Sequence, residues 1–388
     1  MPAKSSVAQN RTSDRDNLHW PVIDSRLRRR FNRRLLTWFH KHRRDLPWRQ
    51  NRDPYHIWVS EVMLQQTQAA TVVRYFEPFL KQFPTVEALA AATEQEVLRS
   101  WEGLGYYRRA RDLHRAARHL AAHCKGRLPD DPALIEQLPG VGRYMTGAVL
   151  SQAYGRRLPI LEANSERVLC RFFGLGRDPR EGGTRRWLWQ AAEALLPARN
   201  VGDFNQALME LGALVCTPAA PRCESCPVAR DCAARSLGQQ HQIPFRAARP
   251  TVVELDEVGV IVHRASQVLL VQRPRHGRWA GMWEFPHGAI RSKEQHETAG
   301  SRVVSELTGL RVRWGREVMT IRHAVNHNHI TLACFQARYR SGRFRSDFYL
   351  QGRWVDPSEL HAYPISAPQR RIAESIKSAE KRLAERPI

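Results

Sequence analysis

Cysteines at 216, 223, 226 and 232 set the tightest limit on what this chain can become. Their spacing, Cys216-x6-Cys223-x2-Cys226-x5-Cys232, crowds four sulfur ligands into one short loop, and thiolates so arranged can converge on a single iron–sulfur cluster. Zinc is the rival, but structural zinc sites usually draw on two Cys-x2-4-Cys knuckles, and only Cys223 and Cys226 form one here. Disulfides fit worse, because the cysteine total of seven is odd and no secretory signal is seen. Cys124, Cys170 and Cys334 lie apart in apolar contexts and read as packing residues.

Charge names the partner. The formal net charge is +23, carried by arginine-rich segments along the whole chain, and so large an excess calls for a polyanion. Nucleic acid is the first reading, since no long apolar run or lipidation signal points to a membrane. Met1 to about Trp20 is polar and mixed in charge, without the apolar stretch of a signal peptide. A disordered tail on an intracellular, cytoplasmic protein is expected.

Hydrophobic periodicity changes once along the chain. From about Ser25 to Cys232 apolar residues recur at helical spacing, as in Leu27, Phe31, Leu35 and Trp38, or Val97, Trp101 and Leu104. From Val252 the texture is that of strands, at Val258–Val262, Val268–Val271, Ile330–Phe335 and around Trp354. Ala233 to Pro250 is polar and proline-bearing, a linker. The expected organisation is a tail over 1–24, an all-α domain over 25–232, a linker over 233–251, an α/β domain over 252–372 and a charged tail over 373–388.

Within the helical part, Leu138-Pro-Gly-Val-Gly-Arg-Tyr-Met-Thr-Gly147 is the second strong signal. Gly140 and Gly142 flank Val141 and allow a tight hairpin, near 134–153, whose backbone N–H groups face outward at the start of the next helix, with Gly140, Gly142 and Arg143 as the DNA-binding candidates. Such a nest binds a phosphate without reading a base. Taken alone, the motif is matched as well by an ordinary packing corner.

A helix-hairpin-helix followed by this cysteine loop resembles the endonuclease III superfamily of base-excision DNA glycosylases. Ser60-Glu-Val-Met-Leu-Gln-Gln-Thr67, Gly103-Leu-Gly-Tyr-Tyr107 and Phe204-Asn-Gln-Ala207 resemble the MutY family of adenine glycosylases within it. The resemblance runs from about Leu46 to Cys232 and continues, more weakly, to about residue 370. It implies two helical subdomains flanking a cleft, one [4Fe-4S] cluster in the subdomain of the early helices, and a monomer acting on the nucleoid. The implied substrate is adenine opposite 8-oxoguanine or guanine in duplex DNA.

Cutting an adenine–sugar bond demands a protonated leaving group and stabilisation of the positive sugar left behind, a task for two carboxyl groups in distinct environments. Glu61 lies in the apolar stretch Val59–Leu64, where burial raises a carboxyl and suits it to act as the acid. A helix-dipole role is its plain alternative. The resemblance places the second carboxylate at Glu162, in Leu161-Glu-Ala-Asn164, where the family has Leu-Asp-Gly-Asn. Glu reaches one methylene further than Asp, and a shift of roughly 1 Å at a reacting centre can cost on the order of 10²-fold. Asn164 matches the family residue and is expected to hydrogen-bond that carboxylate.

Position 144 bears on the reaction type. Relatives that also cleave the strand carry a Lys there, whose amine forms a Schiff base; Tyr144 cannot, and the implied product is an abasic site in an intact strand. Everting a base costs a few kcal/mol, and by motif match Gln66 and Tyr106 wedge into the gap. Trp48, Arg49, Leu64 and Gln206 are matched to the adenine pocket, although Trp48 and Leu64 also read as core and Arg49 as a phosphate contact.

The C-terminal part resembles a Nudix fold with a damaged box. Gly288, Glu294, Arg302 and Gly309 are in register, but Arg302-Val-Val-Ser-Glu-Leu307 keeps only Glu306 of the three core acids, too few for a divalent cation. The resemblance leaves the domain a reading role, with Val325-Asn326-His327 standing where the family has Phe-Ser-His. Asn326 offers a donor and an acceptor. His323, His327 and His329 are expected to lie along one solvent-facing strand surface. The alternative class is a DNA lesion-binding protein that keeps the scaffold and has lost turnover through Glu162.

Overall fold

The structure is a computed structural model describing residues 23–245, 251–325 and 327–384, with side chains described to residue 378. The tail over 1–22, residues 246–250 of the linker, Asn326 and residues 385–388 lie outside the described residues.

Among the described residues twelve α-helices come first. They are α1 (Ser25–His42), α2 (Pro54–Leu64), α3 (Ala69–Gln82), α4 (Val86–Ala91), α5 (Glu94–Ser100), α6 (Arg108–His123), α7 (Pro132–Ile135), α8 (Arg143–Ala153), α9 (Ala163–Phe173), α10 (Gly182–Leu195), α11 (Val201–Leu214) and α12 (Ala233–Ser236). Local chemistry sets their ends. Asp24 caps α1 by accepting from the Leu27 N–H at 2.6 Å, and Thr93 and Glu96 form a capping box on α5. Val97, Trp101 and Leu104 are all buried, yet α5 stops at Ser100, because Gly103 turns the chain at a φ of +95°.

Seven strands follow among the described residues: β1 (Val253–Arg264), β2 (Gln267–Gln272), β3 (Trp283–Glu284), β4 (His287–Ala289), β5 (Arg311–Val325), β6 (Asn328–Ser341) and β7 (Gln351–Val355). Helix α13 (His296–Thr308) lies between β4 and β5, and α14 (Ala367–Ala384) runs on through the stretch read as a tail. The sheet order is β3-β2-β1-β6-β5, with β4 on β1 and β7 on β2. The β1 and β6 pair is parallel and the other pairs are antiparallel. The four apolar runs seen in the sequence fall in β1, β2, β6 and β7. Strand β5 was hidden, because its residues are mostly exposed or half-buried and register shifts between Trp314 and Met319 break its apolar alternation.

By contact the chain divides into two units. One takes the described residues of Met1–Val62 and Leu128–Ala248, the other those of Met63–Arg127 and Arg249–Ile388. The core of the first is built by α1, α9, α10 and α11 around Phe31, Leu35, Leu169, Leu188, Phe204 and Leu211. The second contains the sheet, whose inner face buries Ile261, Leu270, Trp283 and Leu332. It also buries a charged network: His287 lies between Glu257 at 2.8 Å and Glu284 at 3.2 Å, and Arg273 holds Glu284 at 2.8 Å. Among the described residues no helix is long and apolar enough to cross a membrane.

Candidate active site

Helix α2 is apolar on every side and carries Glu61 in its last turn, 4% exposed. That end of a helix is negative, so the helix dipole gives Glu61 no support, and its place there needs another reason. Tyr144, from the first turn of α8, donates its hydroxyl to Oε2 at 2.8 Å, and Gln152, near the end of the same helix, donates Nε2 to Oε1 at 2.9 Å. Burial raises the Glu61 carboxyl, with the Gln152 and Tyr144 hydrogen bonds opposing and the charge of Glu162 adding to the rise. A buried carboxyl held on both oxygens yet biased toward its neutral form can deliver a proton. Burial and the Glu61 charge also hold the Tyr144 phenol well above its ordinary range, so Tyr144 stays a neutral donor.

Glu162 is the N-cap of α9. Its Oε2 accepts from the Asn164 N–H at 2.8 Å and from Nδ2 of Asn164 at 3.1 Å, and its Oε1 accepts from the Ser165 N–H at 2.7 Å. The Glu162 N–H in turn donates to Oγ of Ser165 at 2.8 Å. Burial raises this carboxyl too, opposed by the N–H groups of Asn164 and Ser165 and by Arg167. Ala163, the departure from glycine, is the first residue of α9, so no left-handed backbone is asked of it. Glu61 and Glu162 lie in each other's field, and Tyr144 lies in the field of both.

Asn164 accepts from Arg167 at 2.8 Å on its other face. Arg167 also reaches the Cys216 carbonyl at 2.7 Å and the Gly212 carbonyl at 2.8 Å. Gly212 permits this closeness, since a Cβ there would stand 2.6 Å from Cβ of Asn164.

A cavity of about 190 Å³ is lined by Trp48, Arg49, Gln152 and Gln206 among others. It joins three of the four residues matched to the base pocket, and Gln152 links it to Glu61. Leu64 closes α2, half-buried, and does not line it. Arg49 is tied to Glu210, which takes its two Nη atoms at 3.1 and 3.0 Å, and Arg44 binds the same carboxylate at 2.9 and 2.7 Å. Burial alone would raise Glu210, but those arginines override it and hold the carboxyl at about 2.

The hairpin forms as its glycines require. Gly140 sits at a φ of +77°, and Gly142 is the N-cap of α8 with open space where a Cβ would be. The Arg143 guanidinium lies 4.0 Å over the Trp189 ring. In the other unit, Gln66 at a φ of +57° and Tyr106 at +47° are non-glycine residues in the left-handed region, which costs on the order of 1–3 kcal/mol each and clusters at functional sites. Arg109 binds both loops that hold them. It donates to the carbonyls of Met63 (2.7 Å), Gln65, Leu104 (3.2 Å) and Gly105 (3.1 Å) and to Oγ1 of Thr67 (3.0 Å).

Cys216, Cys223, Cys226 and Cys232 are free of disulfides and partly buried. Burial, then the charges of Cys216, Cys232 and Cys223, push Cys226 up to about 12, so the four thiols share one neighbourhood. Arg171 donates to Sγ of Cys216 at 3.3 Å and to the carbonyls of Thr217 and Pro218. No three His, Cys, Asp or Glu side chains among the described residues stand close enough to hold one metal ion. Four soft thiol donors on one loop, with a guanidinium beside them to offset thiolate charge, fit a cluster that takes one cysteine at each corner.

Residues 59–194 match the HhH-GPD superfamily of base excision DNA repair proteins, and residues 257–375 match the NUDIX domain. The adenine DNA glycosylase of Homo sapiens is 33% identical over 401 residues, which span 88% of this chain and 73% of that protein. The chain belongs to the adenine DNA glycosylase family. A second family member, from Buchnera aphidicola subsp. Acyrthosiphon pisum (strain APS), is 33% identical over 68% of this chain and 75% of its own length. The solved structure of a thermostable thymine-DNA glycosylase is 33% identical, with a TM-score of 0.51 over 54% of this chain and 97% of that one. This glycosylase is thus a DNA-binding enzyme of base-excision repair, a helix-hairpin-helix fold followed by a Nudix-like domain.

In the Nudix-like half of the glycosylase, the degraded box is locked. Arg302 binds Glu294 at 2.7 Å and Glu306 at 3.2 Å, while Val303 and Val304, at and beside a lost acidic position, are buried in the core. The three histidines do not share a strand: His323 lies in β5 stacked on Trp279, His327 in the turn after it, and His329 in β6 beside Glu254 at 3.0 Å. Gln152, Glu210 and Arg109 escaped the sequence. Gln152 and Glu210 lie tens of residues from what they hold, and Arg109 lies as far from the first of the two loops it joins, so no local spacing marks them.

Proposed function

We propose that this enzyme hydrolyses the N-glycosidic bond of adenine opposite 8-oxoguanine or guanine, leaving an abasic site in an uncut strand. The observation that carries it is the buried Glu61 carboxyl, gripped by Tyr144 and Gln152 and facing the field of Glu162. Glu61 gives its proton to a ring nitrogen of adenine, the base leaves with the bonding electron pair, and the sugar cation forms beside the Glu162 carboxylate. Water then adds to the sugar and returns a proton to Glu61. Asn164 and the α9 N-terminus hold Glu162 in place through the helix-capping bonds. Tyr144 stands where a lyase would need an amine, and its hydroxyl is already committed to Glu61.

Arg49, fixed by Glu210, and Gln206 supply donors and acceptors to a cavity smaller than the roughly 300–1,000 Å³ of drug-sized ligand sites, which suits one base. Gln66 and Tyr106 fill the gap in the stack. Cys216, Cys223, Cys226 and Cys232 would hold one [4Fe-4S] cluster, whose iron–thiolate bonds staple the loop when bound. The Nudix-like half reads the opposite base, with exposed His327 in the turn before β6 as its contact. Alkali-dependent nicking of an adenine:8-oxoguanine duplex tests the proposal. The expected result is strand cleavage only after alkali; tight binding with no product favours the lesion-binding alternative, and cleavage without alkali overturns the monofunctional reading.

A further inference from the structure

The turn that presents Tyr106 begins at Glu102. Both carboxylate oxygens of Glu102 accept from Arg370 of α14, Nε at 2.6 Å and Nη2 at 2.7 Å, and Oε2 accepts also from Arg99 at 3.0 Å, whose side chain is the more exposed of the two arginines. The rest of the Arg370 guanidinium is satisfied by the carbonyls of Leu360 and Tyr363, each at 2.8 Å, on the segment leading into α14. The Arg370 and Glu102 side chains are only 15% and 12% exposed. A bidentate pair so shielded fixes direction as well as distance, which a solvated ion pair does not.

Beyond Glu102 the backbone has little freedom. Gly103 is pressed against Tyr75, whose hydroxyl would lie 2.2 Å from an added Cβ, and its N–H donates to the Tyr107 hydroxyl at 3.3 Å. Tyr106 follows in the left-handed region, half exposed. On the far side of the turn Arg109 grips the Leu104 and Gly105 carbonyls and the Met63–Thr67 loop that holds Gln66. A displacement at Glu102 therefore passes to both wedge residues.

We propose that Arg370 is a positioning residue: through Glu102 the Nudix-like half sets the turn of Tyr106, and through Arg109 the loop of Gln66, so that base eversion depends on a domain without hydrolase chemistry. This rests on the reading of Tyr106 as a wedge. The test is stopped-flow fluorescence on a duplex with 2-aminopurine in place of the target adenine, opposite 8-oxoguanine, together with the duplex Kd. In Arg370→Gln and in the milder Glu102→Asp, eversion is expected to slow by roughly tenfold or more, while Kd stays close to wild type and the melting temperature falls, less in Glu102→Asp, with the fold retained. Eversion at the wild-type rate in both variants overturns the link, as does a loss of Kd that matches the loss of rate.

Tyr106→Ser, run alongside, separates the two failures. Slow eversion in Tyr106→Ser with normal eversion in Arg370→Gln removes the link alone. Normal eversion in Tyr106→Ser, or wild-type protein that binds without any fluorescence rise, removes the wedge reading and the link with it.

Discussion

Glu61 is a carboxyl kept where water would not leave it. Burial lifts it above the value it has in the unfolded chain, so between those two values the folded state holds the extra proton and stability falls as pH rises. Glu61→Gln removes that dependence and keeps the packing. The variant is expected to melt no lower than wild type at pH 8, while excision falls by at least roughly 10²-fold; calorimetry at two pH values and single-turnover kinetics check both. The residue scale is also where the sequence was most legible. Glu61, Glu162, Asn164 and Tyr144 were readable because each sits in a local motif. Gln152 was not, because it meets Glu61 across 91 residues, and neither was the pairing of Arg49 with Glu210.

Among the elements, α9 does two jobs. Its N-terminus binds the Glu162 carboxylate, and its buried face sends Arg167 and Arg171 to the first turn of the cysteine loop. A loop with so little regular structure needs such anchors, since only two short 3-10 turns and α12 lie between Cys216 and Leu237. With four thiols crowded together, ligation is expected to supply the rest: the purified protein should be brown with broad visible absorbance, and Cys226→Ser should lose the colour and melt at a lower temperature. A colourless protein containing zinc would contradict this. The helices were legible wherever their apolar stripe and their caps agreed, as in α1. The end of α5 was not, because apolar burial continues through Trp101 and Leu104 after the backbone has left the helix. Periodicity reports burial, and burial outlasts the helix where a glycine turn takes over.

Across the whole molecule 61 Lys and Arg face only 38 Asp and Glu, so that even with every acid paired a net charge of +23 remains available to phosphates. Affinity for a duplex, measured by fluorescence anisotropy, should fall by roughly 10³-fold or more between about 50 and 200 mM salt, as expected for six or more phosphate contacts. A flat salt dependence would break the electrostatic account. At this scale the sequence by itself determined the fold classes, the partner's charge and the chemistry available, because these follow from periodicity, composition and residue type. Tertiary structure decided which groups meet. It joined Tyr144 and Gln152 to Glu61, Glu210 to Arg49, and Arg370 to Glu102. It also grouped residues 63–127 with the sheet-bearing half, against the single change of texture along the chain. The reason is that hydrogen bonds and buried charges are satisfied through space, and no pattern of neighbours along a chain encodes which distant partner will arrive.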